Sequence, residues 1–236
     1  EGSDLAKRNP PGQWAANMYP NPGKPQSEQN SCSLLQRKWY GDQKDFGYKD
    51  LIPEFTAEKF NAEVWADLFA RSGARFAGPV AEHHDGFAMW DTEYSEWNAA
   101  KMGPKRDVVG ELEKAIKARD MKFVTAFHHA ANWFYFPVWD KRYDTGDPKN
   151  SGLYGQSHEP GEMRNPEFID EWYNKIIEVI DNYGPDFIWF DFALDSLPEG
   201  YLLDFLAYYY NWAENNGKEV VVTYKGHDLV PGAGVR

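Results

Sequence analysis

Histidines and carboxylates gather at a few places in this sequence, each time directly after a short apolar run. Glu82-His83-His84-Asp85-Gly86-Phe87 follows one such run, and His128-His129 follows Lys122–Phe127. Asp191 closes Phe187-Ile188-Trp189-Phe190, and Lys225-Gly226-His227-Asp228 follows the last run. A carboxylate fixed at such an edge can attack an electron-poor carbon, stabilise positive charge, bind a metal or accept from a hydroxyl. A neutral imidazole can donate to a hydroxyl through one ring nitrogen while a partner holds the other. Four of the six histidines stand in two adjacent pairs at equivalent places, which argues against accident. Trp189 lies two residues before Asp191, so on a strand it shares that residue's face and forms the floor of the same pocket. Trp14, Trp90, Trp97, Trp133 and Trp139 fall in long loops, where an indole face suits stacking on sugar C–H bonds.

The elements that must position these groups repeat. Residues 1–54 read as a long irregular region, rich in Pro, Gly and Asn, with a short helix near 34–39. Residues 55–236 then alternate helix and strand. A helix over 61–71, with Thr56 as a plausible N-cap, aligns Val64, Trp65, Leu68 and Phe69 on one face, and Trp65 and Trp172 are expected in the core. Further helices are predicted over 107–119, 168–183 (with Pro166 at its start) and 199–215. Strands are predicted near 75–80, 122–127, 186–190 and 219–224, parallel and in sequence order. The strands are apolar without alternation, so both faces must be covered, as in a parallel sheet flanked by helices. Polar clusters after every strand favour a TIM-like (β/α)8 barrel, whose site sits at the carboxyl rim, over a doubly wound sheet with one crevice. Only about four βα units are visible, against eight in a full barrel, so the chain is expected to be one partial barrel domain.

Composition removes several function classes. The 236 residues carry 37 Asp and Glu against 25 Lys and Arg, a net charge of −12, with no basic cluster for nucleic acid. No apolar run approaches the length of a membrane span, and the single cysteine, Cys32, excludes a disulfide framework. Gly103-Pro104-Lys105-Arg106 superficially suits a phosphate, but no strand and Gly-rich loop precede it, and Asp107 competes for the helix start. Two rival readings stay open on residues alone. One is a metal-dependent barrel using His83, His84, His128, His129, Asp191 and His227, against which stands the lack of a spaced His-x-His pair. The other is a carbohydrate-binding barrel without catalysis. No cofactor and no metal are assigned.

The chain resembles the catalytic domain of retaining α-L-fucosidases, glycoside hydrolase family 29. The resemblance spans nearly the whole chain and rests on Phe46-Gly-Tyr-Lys-Asp50, Phe55-Thr-Ala-Glu-Lys-Phe60, His83-His-Asp-Gly-Phe87, Met89-Trp-Asp91, Gly103-Pro-Lys-Arg-Asp107 and Trp189-Phe-Asp191. It implies an exo-acting enzyme on glycans bearing terminal α-L-fucose, working by double displacement without a cofactor. Asp191 would be the nucleophile, and His83, His84 and Trp189 would contact the sugar, with Trp14 as a further contact; His128 and His129 are added as contacts from their place after a strand. Where many members read Glu-Trp-Tyr, Lys-His-His, and a tyrosine with a serine, this chain reads Gln13-Trp14-Ala15, Glu82-His83-His84 and His128-His129. The family's first strand and its general-acid glutamate are expected in sequence outside this chain. From the substrate class, export to the periplasm or the medium is expected.

Overall fold

Apolar strands alternate with amphipathic helices, and each helix is closed by a recognisable stop. The computed structural model describes residues 14–20 and 31–235, apart from the side chain of Trp14. Short helix α1 (Trp14–Asn17) and helix α2 (Ser31–Tyr40) lead in, followed by a 3-10 segment at Tyr48–Glu54. The region expected to be irregular thus contains more helix than the 34–39 estimate.

Helix α3 (Ala62–Arg71) begins at Asn61, whose side chain accepts from the Val64 N–H, so Asn61 rather than Thr56 is its cap. The first strand comes in two pieces, β1 (Phe76–Ala77) and β2 (Val80–Glu82). Gly78 sits between them with its backbone so close to Val124 that no Cβ fits. Helix α4 (Val108–Lys117) is capped by Asp107, whose carboxylate accepts from the Gly110 N–H; this settles Asp107's role at that helix start. Strand β3 (Lys122–Phe127) follows, then short helices α5 (Asn132–Tyr135) and α6 (Ser151–Tyr154) inside a long loop. Helix α7 (Pro166–Tyr183) has Pro166 in its first turn and ends at Gly184 with φ 52°, a left-handed conformation that favours glycine. Strand β4 (Phe187–Phe190), helix α8 (Glu199–Asn215) and strand β5 (Val221–Tyr224) complete the order.

All strand pairings are parallel. Their order is β1 and β2, then β3, β4 and β5, as expected for consecutive units of a barrel wall. Along β3, β4 and β5, Phe123, Phe127, Ile188, Phe190, Val222 and Tyr224 face the helices and join one core with Trp172, Ile176, Val179 and Phe205. Phe190 meets Phe205 edge-on at 5.3 Å.

Trp172 is buried as expected, whereas Trp65 is 47% exposed, with Val64 and Leu68 at 60%. Helix α3 turns Ala62 and Ala66 inward instead. The two small residues allow α3 to lie close to α4, and its larger apolar stripe faces away from the core. The 3.6-residue period located an apolar face but could not say which side of the helix the neighbours cover.

Candidate active site

Sheet register explains why the polar residues meet. Glu82 pairs with Phe127, Phe127 with Phe190, and Phe190 with Tyr224, forming one row across β2–β5. One residue further along each chain stand His83, His128, Asp191 and Lys225. A parallel sheet in register therefore delivers two imidazoles, a carboxylate and an ammonium to one edge, at the carboxyl ends of the strands. His84 joins them because the chain leaves the strand there. The register already shifts between Val80 and Glu82, and Gly86 takes φ 78° in a turn with no room for a Cβ beside Leu153.

The resulting cluster is tight. The His83 ring centroid lies 4.2 Å from that of His84 and 4.5 Å from that of His128. His84 Nε2 is 3.6 Å, and His128 Nδ1 3.3 Å, from the same Asp191 oxygen, Oδ2. The Lys225 ammonium contacts the other oxygen, Oδ1. Lys225 Nζ also lies 5.2 Å from the Trp189 ring centre, and His128 meets Trp189 edge-on at 5.1 Å. Tyr135 and Phe192 stand beside His84, with ring centres at 5.3 and 5.0 Å.

His84 and His128 are buried, as is Asp191, whereas His83 and Trp189 are half-buried. Burial lowers the pKa of His83 and of His84 against the pull of Asp191. His128 is lowered to about 4, by burial and then by the neighbouring His83. All three imidazoles are therefore neutral at pH 7. Nδ1–H of His84 donates to the His128 carbonyl at 2.7 Å, and since a carbonyl only accepts, Nε2 carries the lone pair. Chemically this is a negatively charged oxygen, steadied by one ammonium, beside imidazole nitrogens able to take up hydroxyl protons or a metal ion.

His129 does not join the cluster. Adjacent strand residues point to opposite faces, and His129 turns to the helix side with Phe127, at 5.4 Å between ring centres, and Trp172, at 6.2 Å. Burial drives its pKa well below the usual value. Glu82, the residue before His83, faces the same side, where Lys175 Nζ donates to it at 3.0 Å and reaches Glu171 at 2.8 Å. The Trp14 side chain lies outside the described residues.

The loop tryptophans divide differently from the sequence expectation. Trp90 is fully buried and donates from Nε1 to Glu178 at 2.6 Å. Trp133 is buried, donates to the Glu162 carbonyl and stacks on His158 at 4.0 Å. Trp97 and Trp139 pack at the edge of the core. Trp90 and Trp133 thus serve loop packing, while Trp97 and Trp139 stay half-buried and Trp139 lines an apolar cavity with Phe134 and Met163. Conversely, Lys225 was not singled out as a site residue. Its signal was its place, the first residue past the last strand, in register with Asp191.

The family model described as Alpha-L-fucosidase matches residues 10–232. Plasma α-L-fucosidase of Pongo abelii is 37% identical over 182 residues, covering 75% of this chain and 35% of the relative. Tissue α-L-fucosidase of Rattus norvegicus is 37% identical over 180 residues, with the same coverage of 75% and 35%. Among solved structures, an α-L-fucosidase superposes with TM-score 0.65 at 31% identity, over 91% of this chain and 43% of that one. Thermotoga maritima α-fucosidase gives TM-score 0.67 at 27% identity, over 95% and 50%, and has also been solved in complex with fucose. The chain spans about a third of the length of the curated relatives it matches. With its parallel βα units and its rim of histidines around Asp191, this chain belongs to the α-L-fucosidase family.

Proposed function

We propose that the protein carrying this chain hydrolyses terminal α-L-fucosides with retention of configuration, with Asp191 as nucleophile. The observation that carries this reading is the setting of Asp191. Its carboxylate is buried at the strand ends, with Lys225 on one oxygen and His84 and His128 facing the other. Such a carboxylate is oriented and partly dehydrated, which favours attack on a positively polarised anomeric carbon. The solved complex of the Thermotoga maritima relative with fucose supports the same substrate class.

In this reading the imidazoles of His83, His84 and His128 bind the sugar hydroxyls, and Trp189 supplies an apolar face. Asp191 attacks the anomeric carbon and the glycosidic oxygen leaves with a proton from a general acid. Water then attacks the glycosyl-enzyme from the opposite side, with that acid acting as base, so two inversions give retention. Glu82 cannot be the acid, because its carboxyl lies on the helix side against Lys175. The substrate is a glycan or aryl glycoside bearing terminal α-L-fucose.

Asp191→Asn keeps the shape and removes the nucleophile. In the intact protein it should lower kcat/KM on an aryl α-L-fucoside by more than about 1000-fold. Fucose binding, measured by calorimetry, should persist. Activity within about tenfold of wild type would reject the assignment, since tenfold is only about 1.4 kcal/mol of barrier.

A further inference from the structure

We infer that the sugar pocket is also a transition-metal site. His83, His84 and His128 hold a zinc-class divalent ion, Asp191 supplies a fourth ligand, and occupancy blocks the carboxylate. One nitrogen from each histidine can be chosen so that all three lie within 4.8 Å of one another. Asp191 stands outside that set of three, but its Oδ2 lies 3.3 Å from His128 Nδ1 and 3.6 Å from His84 Nε2, near the ligand–ligand edge of about 3.4 Å in a tetrahedral zinc site, so it is the carboxylate placed to complete the site as the groups close on an ion.

The lone pairs point the right way. Because His84 Nδ1–H is committed to the His128 carbonyl, neutral His84 presents Nε2 as an acceptor towards an oxygen that also only accepts. Two acceptors facing each other at 3.6 Å call for a cation or a proton between them. That backbone hydrogen bond is also the kind of partner that fixes a metal-binding imidazole in its tautomer. His128 is 7% exposed and makes no hydrogen bond through either ring nitrogen among the described residues. Three imidazoles and one carboxylate suit Zn2+, Co2+, Ni2+ or Cu2+, and not the oxygen-preferring Mg2+ or Ca2+. Lys225 on the far oxygen opposes the added charge, so the ion should be exchangeable rather than structural.

Only the inhibition arm of the test rests on the fucosidase reading; the binding arm does not. The intact protein is stripped with chelator and titrated with Zn2+ by calorimetry and with Co2+ by visible absorption. One saturable equivalent and four-coordinate cobalt bands are expected. His128→Phe and His128→Gln should each weaken Zn2+ by at least about tenfold. Lys225→Met, outside the ligand set, should tighten it by at least about threefold. Zn2+ should inhibit aryl fucoside hydrolysis competitively, reversed by chelator. Absence of a saturable isotherm, or zinc affinity unchanged in both His128 variants, overturns the inference. Zinc binding of the expected kind in a stripped protein that hydrolyses no fucoside leaves the inference standing and rejects the enzymatic reading instead.

Discussion

Glu82 and His83 are neighbours in sequence, as are His128 and His129, yet each pair is divided between two polar clusters on opposite sides of the same strand ends. On the helix side, Glu82 is closed off by Lys175, and His129 by the Trp172 carbonyl and ring. On the rim side, His83, His84 and His128 gather around Asp191, with His84 held through Nδ1–H by the His128 carbonyl. Both clusters place ionisable groups near the sheet at some cost in dehydration. One recovers part of that cost through Lys175 and the Trp172 carbonyl, leaving Glu82 Oε2 and His129 Nδ1 without a hydrogen-bond partner among the described residues, and the other leaves both ring nitrogens of His128 without one. The contrast is one of partners: the helix-side groups pair with Lys175 and Trp172 and hold the strand ends in place, while the rim groups gather around one carboxylate.

The comparison breaks most visibly at Lys175. Its side chain is 3% exposed and its Glu82 partner 2%, so Lys175→Met strands a buried carboxyl. Denaturant unfolding of the intact protein should show a loss of about 3–5 kcal/mol. Adding Glu82→Met should recover much of that loss, because the unpaired buried carboxyl goes too. A double variant as unstable as the sum of two large single losses would mean that the pair is not one unit.

A smaller effect sharpens the same contrast. Burial pushes Glu82 from 4.5 up to about 7, against the pull of Lys175 and with Glu171 adding to the rise. Burial also opposes charge on Lys175, yet Glu82 and Glu171 overcome it and hold the ammonium above its usual range. Between pH 4.5 and about 7 the folded Glu82 holds a proton that the unfolded one has released. Its contribution to stability is therefore full below pH 4.5 and declines as pH rises to about 7. The difference in stability between wild type and Glu82→Gln, followed across that range by denaturant unfolding, should move against the wild type as pH rises. A difference that moves the other way would show that the ion pair outweighs burial.

Much of this is legible in the sequence. The strand–helix alternation, the parallel order and the clustering of His83, His84, His128, Trp189 and Asp191 follow from apolar runs that end in polar residues. Four things were not legible. His129 was grouped with His128 because adjacency suggested a pair, although strand alternation separates such neighbours when the second still follows the pleat. Trp65 lay on a true helical stripe, but periodicity does not reveal that Ala62 and Ala66 set the close packing. Trp90 and Trp133 lay in loops by sequence, and only the path of those loops back over the helices shows why their N–H groups are spent on Glu178 and Glu162. Lys225 required the register between β4 and β5, which is a long-range property.

The central claim is that Asp191 forms a bond to the sugar, and product identity tests it most directly. Asp191→Gly removes the carboxylate and leaves space for a small anion. Azide, supplied with an activated aryl α-L-fucoside, should enter from the side that Asp191 occupied. The account predicts restored aryl release and β-L-fucosyl azide, the inverted product, as the species seen by nuclear magnetic resonance. No rescue by azide in a folded Asp191→Gly protein, or recovery of the α-azide, would contradict Asp191 as the nucleophile.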